Sequence, residues 1–143
     1  MGTFEIFDHT ADVGLEVRGE TLEDLLASAA RAIVSVMLVD LPETAEEWTD
    51  VRVESPAGAE DRGDLLVAWL QELLFHFETR RRVPLDFDFH ECGTSALRVT
   101  VGWGRFDPAR HRTGLEIKAV TYHQLTVRQE ADGTWRARFI CDV

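Results

Sequence analysis

Asp8, His9 and Asp12 fall within five residues, in the segment Asp8-His9-Thr10-Ala11-Asp12 that joins two short apolar stretches. Two carboxylates and an imidazole in one connection make a ligand set for a cation, and the oxygen donors suit Ca²⁺, Mg²⁺ or Mn²⁺ better than Zn²⁺. Asp and Thr are also ordinary turn and capping residues, so the segment alone does not decide between the two uses. A second concentration of acid closes the sequence, where Asp142 precedes Val143 and places a side-chain carboxylate beside an α-carboxylate. If a third acid folds nearby, such a pocket needs a cation, because like charges at close range are poorly tolerated. The bland alternative is a solvated tail, the usual state of a terminus. Against it, Trp135, Ala137, Phe139 and Cys141 alternate with Arg136 and Arg138, as an ordered strand with one buried face would require. The third place is Leu115 to His123, a β-like stretch in which Glu116, Lys118 and His123 interrupt apolar positions. Glu116 and Lys118, two apart, would share a strand face and either pair across the sheet or point into a site.

Other chemistries lack their residues. Gly102 and Gly104 do not form a phosphate-cradling loop that opens a helix. Ser28 and Ser35 fall inside an apolar helical pattern, Ser55 and Ser95 fall in connections, and none sits in a nucleophile elbow. Cys92 and Cys141 stand apart without CxxC spacing, which reads as two reduced thiols rather than a zinc knuckle or redox pair. With 26 acidic and 15 basic side chains the formal charge is −11, which repels a phosphate backbone and disfavours tight direct binding of nucleic acid. Two local exceptions are Arg80-Arg81-Arg82 and the group Arg105, Arg110, His111 and Arg112. The triple arginine follows an apolar helical stripe, where cations offset the helix dipole. No apolar run approaches the roughly 20 residues of a membrane-spanning helix, and the opening residues lack a secretory pattern, so a cytoplasmic protein is expected.

These segments must be positioned by a fold that 143 residues can build around one core, a single domain over 1–143. Phe4 to Asp8 and Val13 to Arg18 read as strands. Thr21-Leu22-Glu23-Asp24 resembles a capping box, and Leu22, Leu25, Leu26, Ala29, Ile33, Val36 and Met37 form one helical face, predicting a helix to about Val39. Val51 and Val53 mark a strand before a Pro, Gly and Asp-rich turn from Ser55 to Gly63. Leu65, Leu66, Trp69, Leu70, Leu73, Leu74 and Phe77 predict a second helix. Beyond Pro84 the period becomes two, through Leu85, Phe87 and Phe89 and then Leu97, Val99, Val101 and Trp103. Ala131-Asp132-Gly133 signals a hairpin between the last two strands. Two helices and seven or eight mostly antiparallel strands predict an α+β sandwich with the helices against one sheet face.

Taken in order, Asp8-His9-Thr10-Ala11-Asp12-Val13-Gly14, the helix start at Thr21-Leu22-Glu23, the Leu65 to Leu74 stripe, Ile117-Lys118-Ala119-Val120-Thr121-Tyr122-His123 and the closing Asp142-Val143 resemble the archease family over essentially the whole chain. The resemblance implies an accessory protein, not itself an enzyme, that promotes guanylylation and multiple turnover of the RtcB-type RNA ligase in tRNA splicing and RNA repair. It also implies a divalent cation, calcium foremost with Mg²⁺ or Mn²⁺ as alternatives, held by Asp12, Asp142 and Val143, with His9 and Lys118 as further functional candidates. Two other classes of function share these features. A metal-dependent hydrolase of a phosphorylated small molecule would use the same carboxylates, and a general chaperone for RNA-modifying enzymes would use the acidic surface without Asp12 or Asp142.

Overall fold

The computed structural model of the protein describes residues 1–9, 12–55 and 61–143, and for residues 7–9 the backbone alone. Thr10, Ala11 and most of the turn foreseen after Ser55 lie outside the described residues. The elements run β1 (Thr3–His9), β2 (Asp12–Gly19), α1 (Leu22–Met37), β3 (Glu47–Glu54), α2 (Arg62–Arg80), β4 (Arg82–Cys92), β5 (Ala96–Arg105), β6 (Ala119–Gln129) and β7 (Trp135–Asp142). The strands form two antiparallel sheets, one of four strands in the order β1-β2-β7-β6 and one of three in the order β3-β5-β4.

Local chemistry sets the helix ends. Thr21 caps α1, its hydroxyl oxygen accepting from the Asp24 N–H at 3.1 Å, as the capping pattern foretold. Asp61 caps α2 through the Gly63 N–H at 2.7 Å. At the other end Arg81 turns left-handed, with φ 54°, and donates its N–H to the Phe77 carbonyl at 2.9 Å, so the triple arginine spans a helix stop and a strand start. In the β6–β7 hairpin Gly133 adopts φ +91°, a conformation that a side chain would strain, while the Glu130 N–H reaches the Thr134 carbonyl at 2.7 Å.

The sequence pattern placed the helices against one sheet; in the folded chain they pack against both. Helix α1 contacts β2 and β4, and α2 contacts β6, β3 and β4, so the helices form a middle layer. The reason lies in their composition. Helix α1 buries twelve of its sixteen residues, among them Ala27, Ala29, Ala30 and Ala32, whose small side chains leave a helix apolar on nearly all sides. The two inner sheet faces meet this layer through Leu15, Val17, Ala137 and Phe139 on one side and Val51, Leu97, Val99 and Val101 on the other, in one continuous buried cluster. Trp69 of α2 lies near its middle, fully buried, with its indole N–H donating to the Leu26 carbonyl at 3.0 Å and its ring edge-on to Phe87 at 5.9 Å.

Candidate functional site

With the inner face of the four-stranded sheet committed to the core, alternation turns the even-numbered residues of β2 and β7 to the outer face. The β2–β7 register runs without interruption from Gly19 opposite Trp135 to Asp12 opposite Asp142. Asp12 and Asp142 are therefore direct cross-strand partners on one face, at the end of the sheet. Side chains so paired have Cβ atoms about 4.5–5.5 Å apart, and like charges there are destabilising unless something neutralises them. His9 stands opposite Asp12 on the other side, and Ala119 stands opposite Asp142, so all four strands meet at this row. The side chains of Asp8 and His9 lie outside the described residues.

The end of β7 is held rather than frayed. Asp142 is laddered on both flanks, its carbonyl accepts the Lys118 N–H at 2.8 Å, and Val143 packs partly buried against the core. That contact brings Lys118 to the row, with its side chain exposed. The expectation of a continuous strand from Leu115 is corrected here. Residues 115–118 carry no strand ladder, because the Gly114 and Leu115 N–H groups bond instead to the Met37 and Val36 carbonyls at the end of α1. Among the described residues no ion pair joins Glu116 to Lys118. His123 falls in a large irregularity of β6, where Thr121 opposes Ile140 but Thr126 opposes Arg138, leaving Tyr122 to Leu125 to bulge from the edge, with Gln124 at φ 54°.

Asp12 and Asp142 supply only oxygen donors, which fits a hard divalent cation and not zinc or copper. Among the described residues no third His, Cys, Asp or Glu completes a cluster with them. A cation needing six or more oxygens would have to draw the rest from Val143, from the connection before Asp12 or from solvent. Cys141, one residue away, points to the opposite face, where burial and then the charge of Asp12 push its thiol up to about 12. Burial foremost, followed by Glu23, raises Cys92 to about 12 as well. Neither is thus a thiolate ligand or nucleophile at neutral pH. A thiol-specific disulfide reagent at pH 8 is expected to leave Cys141 unmodified in the native protein and to label both cysteines once it is denatured.

One signal at this row went unused in the sequence. Of fifteen cationic side chains fourteen are arginine, and Lys118 is the only lysine. A compact ammonium where the chain elsewhere uses guanidinium marks the position more sharply than local spacing does.

Residues 4–143 match the model of the archease protein family (MTH1598/TM1083). The chain belongs to the archease family. The protein archease of Sulfolobus acidocaldarius is 32% identical over the whole length of both chains. That of Methanopyrus kandleri is 35% identical, over 98% of this chain and 99% of its own. The solution structure of Methanobacterium thermoautotrophicum protein 1598 superposes with a TM-score of 0.77 at 35% identity, covering 98% of each chain. The archease match thus spans both halves of the carboxylate row, Asp12 near its start and Asp142 at its end. Among the described residues no helix is long and apolar enough to cross a membrane.

Proposed function

We propose that this archease-family chain is an accessory factor of the RtcB-type RNA ligase, raising ligase guanylylation and turnover without joining RNA itself. The observation that carries the reading is the direct pairing of Asp12 with Asp142 on the outer face of the four-stranded sheet in a chain of this family. Asp12, Asp142 and Val143 are the residues that would hold a divalent cation, calcium foremost, and His9 and Lys118 flank them. When bound, the cation supplies charge that stabilises phosphate oxygens or carries a shared ligand between partners. The chain's own contribution is geometric. Two ladders fix Asp142 so that both carboxylates are presented together, and Lys118 adds an exposed cation at the same edge.

The two remaining classes find less support. A hydrolase of a phosphorylated small molecule would use the same carboxylates, but Gly102 and Gly104 form no loop that cradles a phosphate. A surface chaperone gives no reason for two like charges to be aligned in register. The test is multiple-turnover RNA joining by the RtcB-type ligase of the same organism, with and without this protein. Stimulation of the guanylylation step and of turnover is expected, and none by the folded protein with an active ligase would overturn the reading.

A further inference from the structure

The outer face of the three-stranded sheet carries a large aromatic side chain that the core does not use. Trp48 of β3 is 53% exposed, and an indole left in water forgoes one of the largest burial gains a side chain offers. Its cross-strand partner on β5 is Gly102, and Asp86 of β4 completes the row. The indole rests against that glycine, for a Cβ at position 102 would meet three of its ring atoms at 2.8 Å, 2.8 Å and 3.0 Å. The ring has therefore crossed to the middle strand, one strand spacing of about 4.8 Å from the backbone of Asp86. The next row is Asp50, Thr100 and Asp88. There the Thr100 hydroxyl donates to Asp50 at 2.8 Å and accepts from the His90 Nε2–H at 2.6 Å, which fixes one Asp50 oxygen. Asp88 stands 4.0 Å from the same imidazole. Among the described residues no arginine or lysine pairs with Asp50, Asp86 or Asp88. Arg52 and Arg98 come one row further on, with Glu91 opposite Arg98 and with Arg52 held by Glu54 at 3.4 Å. The Trp48 end of the face is thus an exposed indole bordered by three carboxylates.

We infer that this face docks a basic segment of a protein partner, seating an arginine or lysine side chain on the Trp48 ring with its charge against Asp86 and Asp50. Charge complementarity selects that occupant. A cation is drawn both to the negative face of an indole and to carboxylates, and a guanidinium stacks on the ring while its fork reaches an acid. A phosphate backbone is repelled by the same three acids, and so is a second copy of a chain whose net charge is −11. A purely apolar partner would cover the indole but strip water from Asp86 and Asp50 without supplying a counter-charge. Spacing agrees, since successive rows on one face lie two residues apart, about 7 Å, so an extended segment with cations at alternate positions offers one to each acidic row. The Asp12–Asp142 row lies on the outer face of the other sheet, across the helix layer, so this inference goes beyond the accessory reading and stands or falls without it.

The experiment is fluorescence anisotropy of a labelled peptide in which arginine alternates with serine, titrated with the full chain at low and at physiological ionic strength. Wild type is compared with Trp48→Ser and with Gly102→Ala. Neither substitution changes the charge of the chain, so a general attraction between a cationic peptide and an acidic protein is the same in all three. Trp48→Ser is expected to weaken binding by about tenfold, as loss of an aromatic anchor does. Gly102→Ala keeps the indole but presses a methyl group against it, and should weaken binding by a smaller factor. Asp86→Asn should lower affinity too and flatten its salt dependence. Because Trp48 lies outside the buried core, circular dichroism and the melting temperature of Trp48→Ser should match wild type, which separates loss of the anchor from loss of the fold. No binding by wild type at low ionic strength, or equal binding by wild type and folded Trp48→Ser, would overturn the inference. So would self-association of the wild type that Trp48→Ser abolishes, which would give the face to a second copy of the chain.

Discussion

Asp142→Ala is expected to reduce calcium affinity by more than about 100-fold while leaving the metal-free protein as stable as before or slightly more so. The first effect follows from the proposed role of Asp142 as a ligand rather than a group behind one, since outer-shell losses alone cost about 10–100-fold. The second follows from the register, because Asp142 faces Asp12 directly and like-charged cross-strand pairs cost a few tenths of a kcal/mol to about 1 kcal/mol. Titration calorimetry with calcium and thermal melts in chelator measure the two. A residue placed here for structure would give the opposite pattern, with stability lost and calcium binding unaltered. Asp12→Ala should behave alike, and the double variant should lose little more than either single one, as expected of residues acting as a unit.

The largest effect on stability is expected at Trp69. Its indole is fully buried between the helices and the three-stranded sheet, against Phe87 and Phe89 at 5.9 Å and 6.1 Å, with the N–H bonded to Leu26. Trp69→Ala should cost about 3–5 kcal/mol, the range for large aromatic truncations in a core. For a chain of this size that lowers the melting temperature by roughly 10–20 °C. Trp69→Phe, which keeps most of the packing and loses the hydrogen bond, should cost about a third of that. Chemical denaturation monitored by circular dichroism gives both values, and a truncation costing under about 1 kcal/mol would mean that the middle layer is not held at this residue.

What could be read from the chain before its fold was known tracks how local the determining physics is. Both helices were legible because their signals, a Thr cap and an apolar stripe from Leu22 to Met37 and another from Leu65 to Phe77, reside within one element. The hairpin at Gly133 was legible for the same reason. Enclosure of the helices by two sheets was not, since it depends on which strands pair, and β2 lies beside β7 across more than a hundred residues of sequence. The Leu115–Lys118 segment misled because alternation mimics a strand, and only the Val36 and Met37 carbonyls, left open at the end of α1, decide where its N–H groups go. Asp12 and Asp142 were singled out by residue type and family resemblance, but that they face one another is a property of register alone.

The carboxylate row is most directly tested in multiple-turnover joining by the RtcB-type ligase of the same organism, with the wild-type chain and Asp142→Ala compared at equal concentration in calcium. Stimulation by the wild type, with less than about a tenth of it remaining in the folded variant, is the expected result, since the loss of one transition-state or positioning contact of about 1.4 kcal/mol already costs tenfold. Undiminished stimulation by Asp142→Ala would contradict the assignment and leave the paired carboxylates without a part in ligase activation.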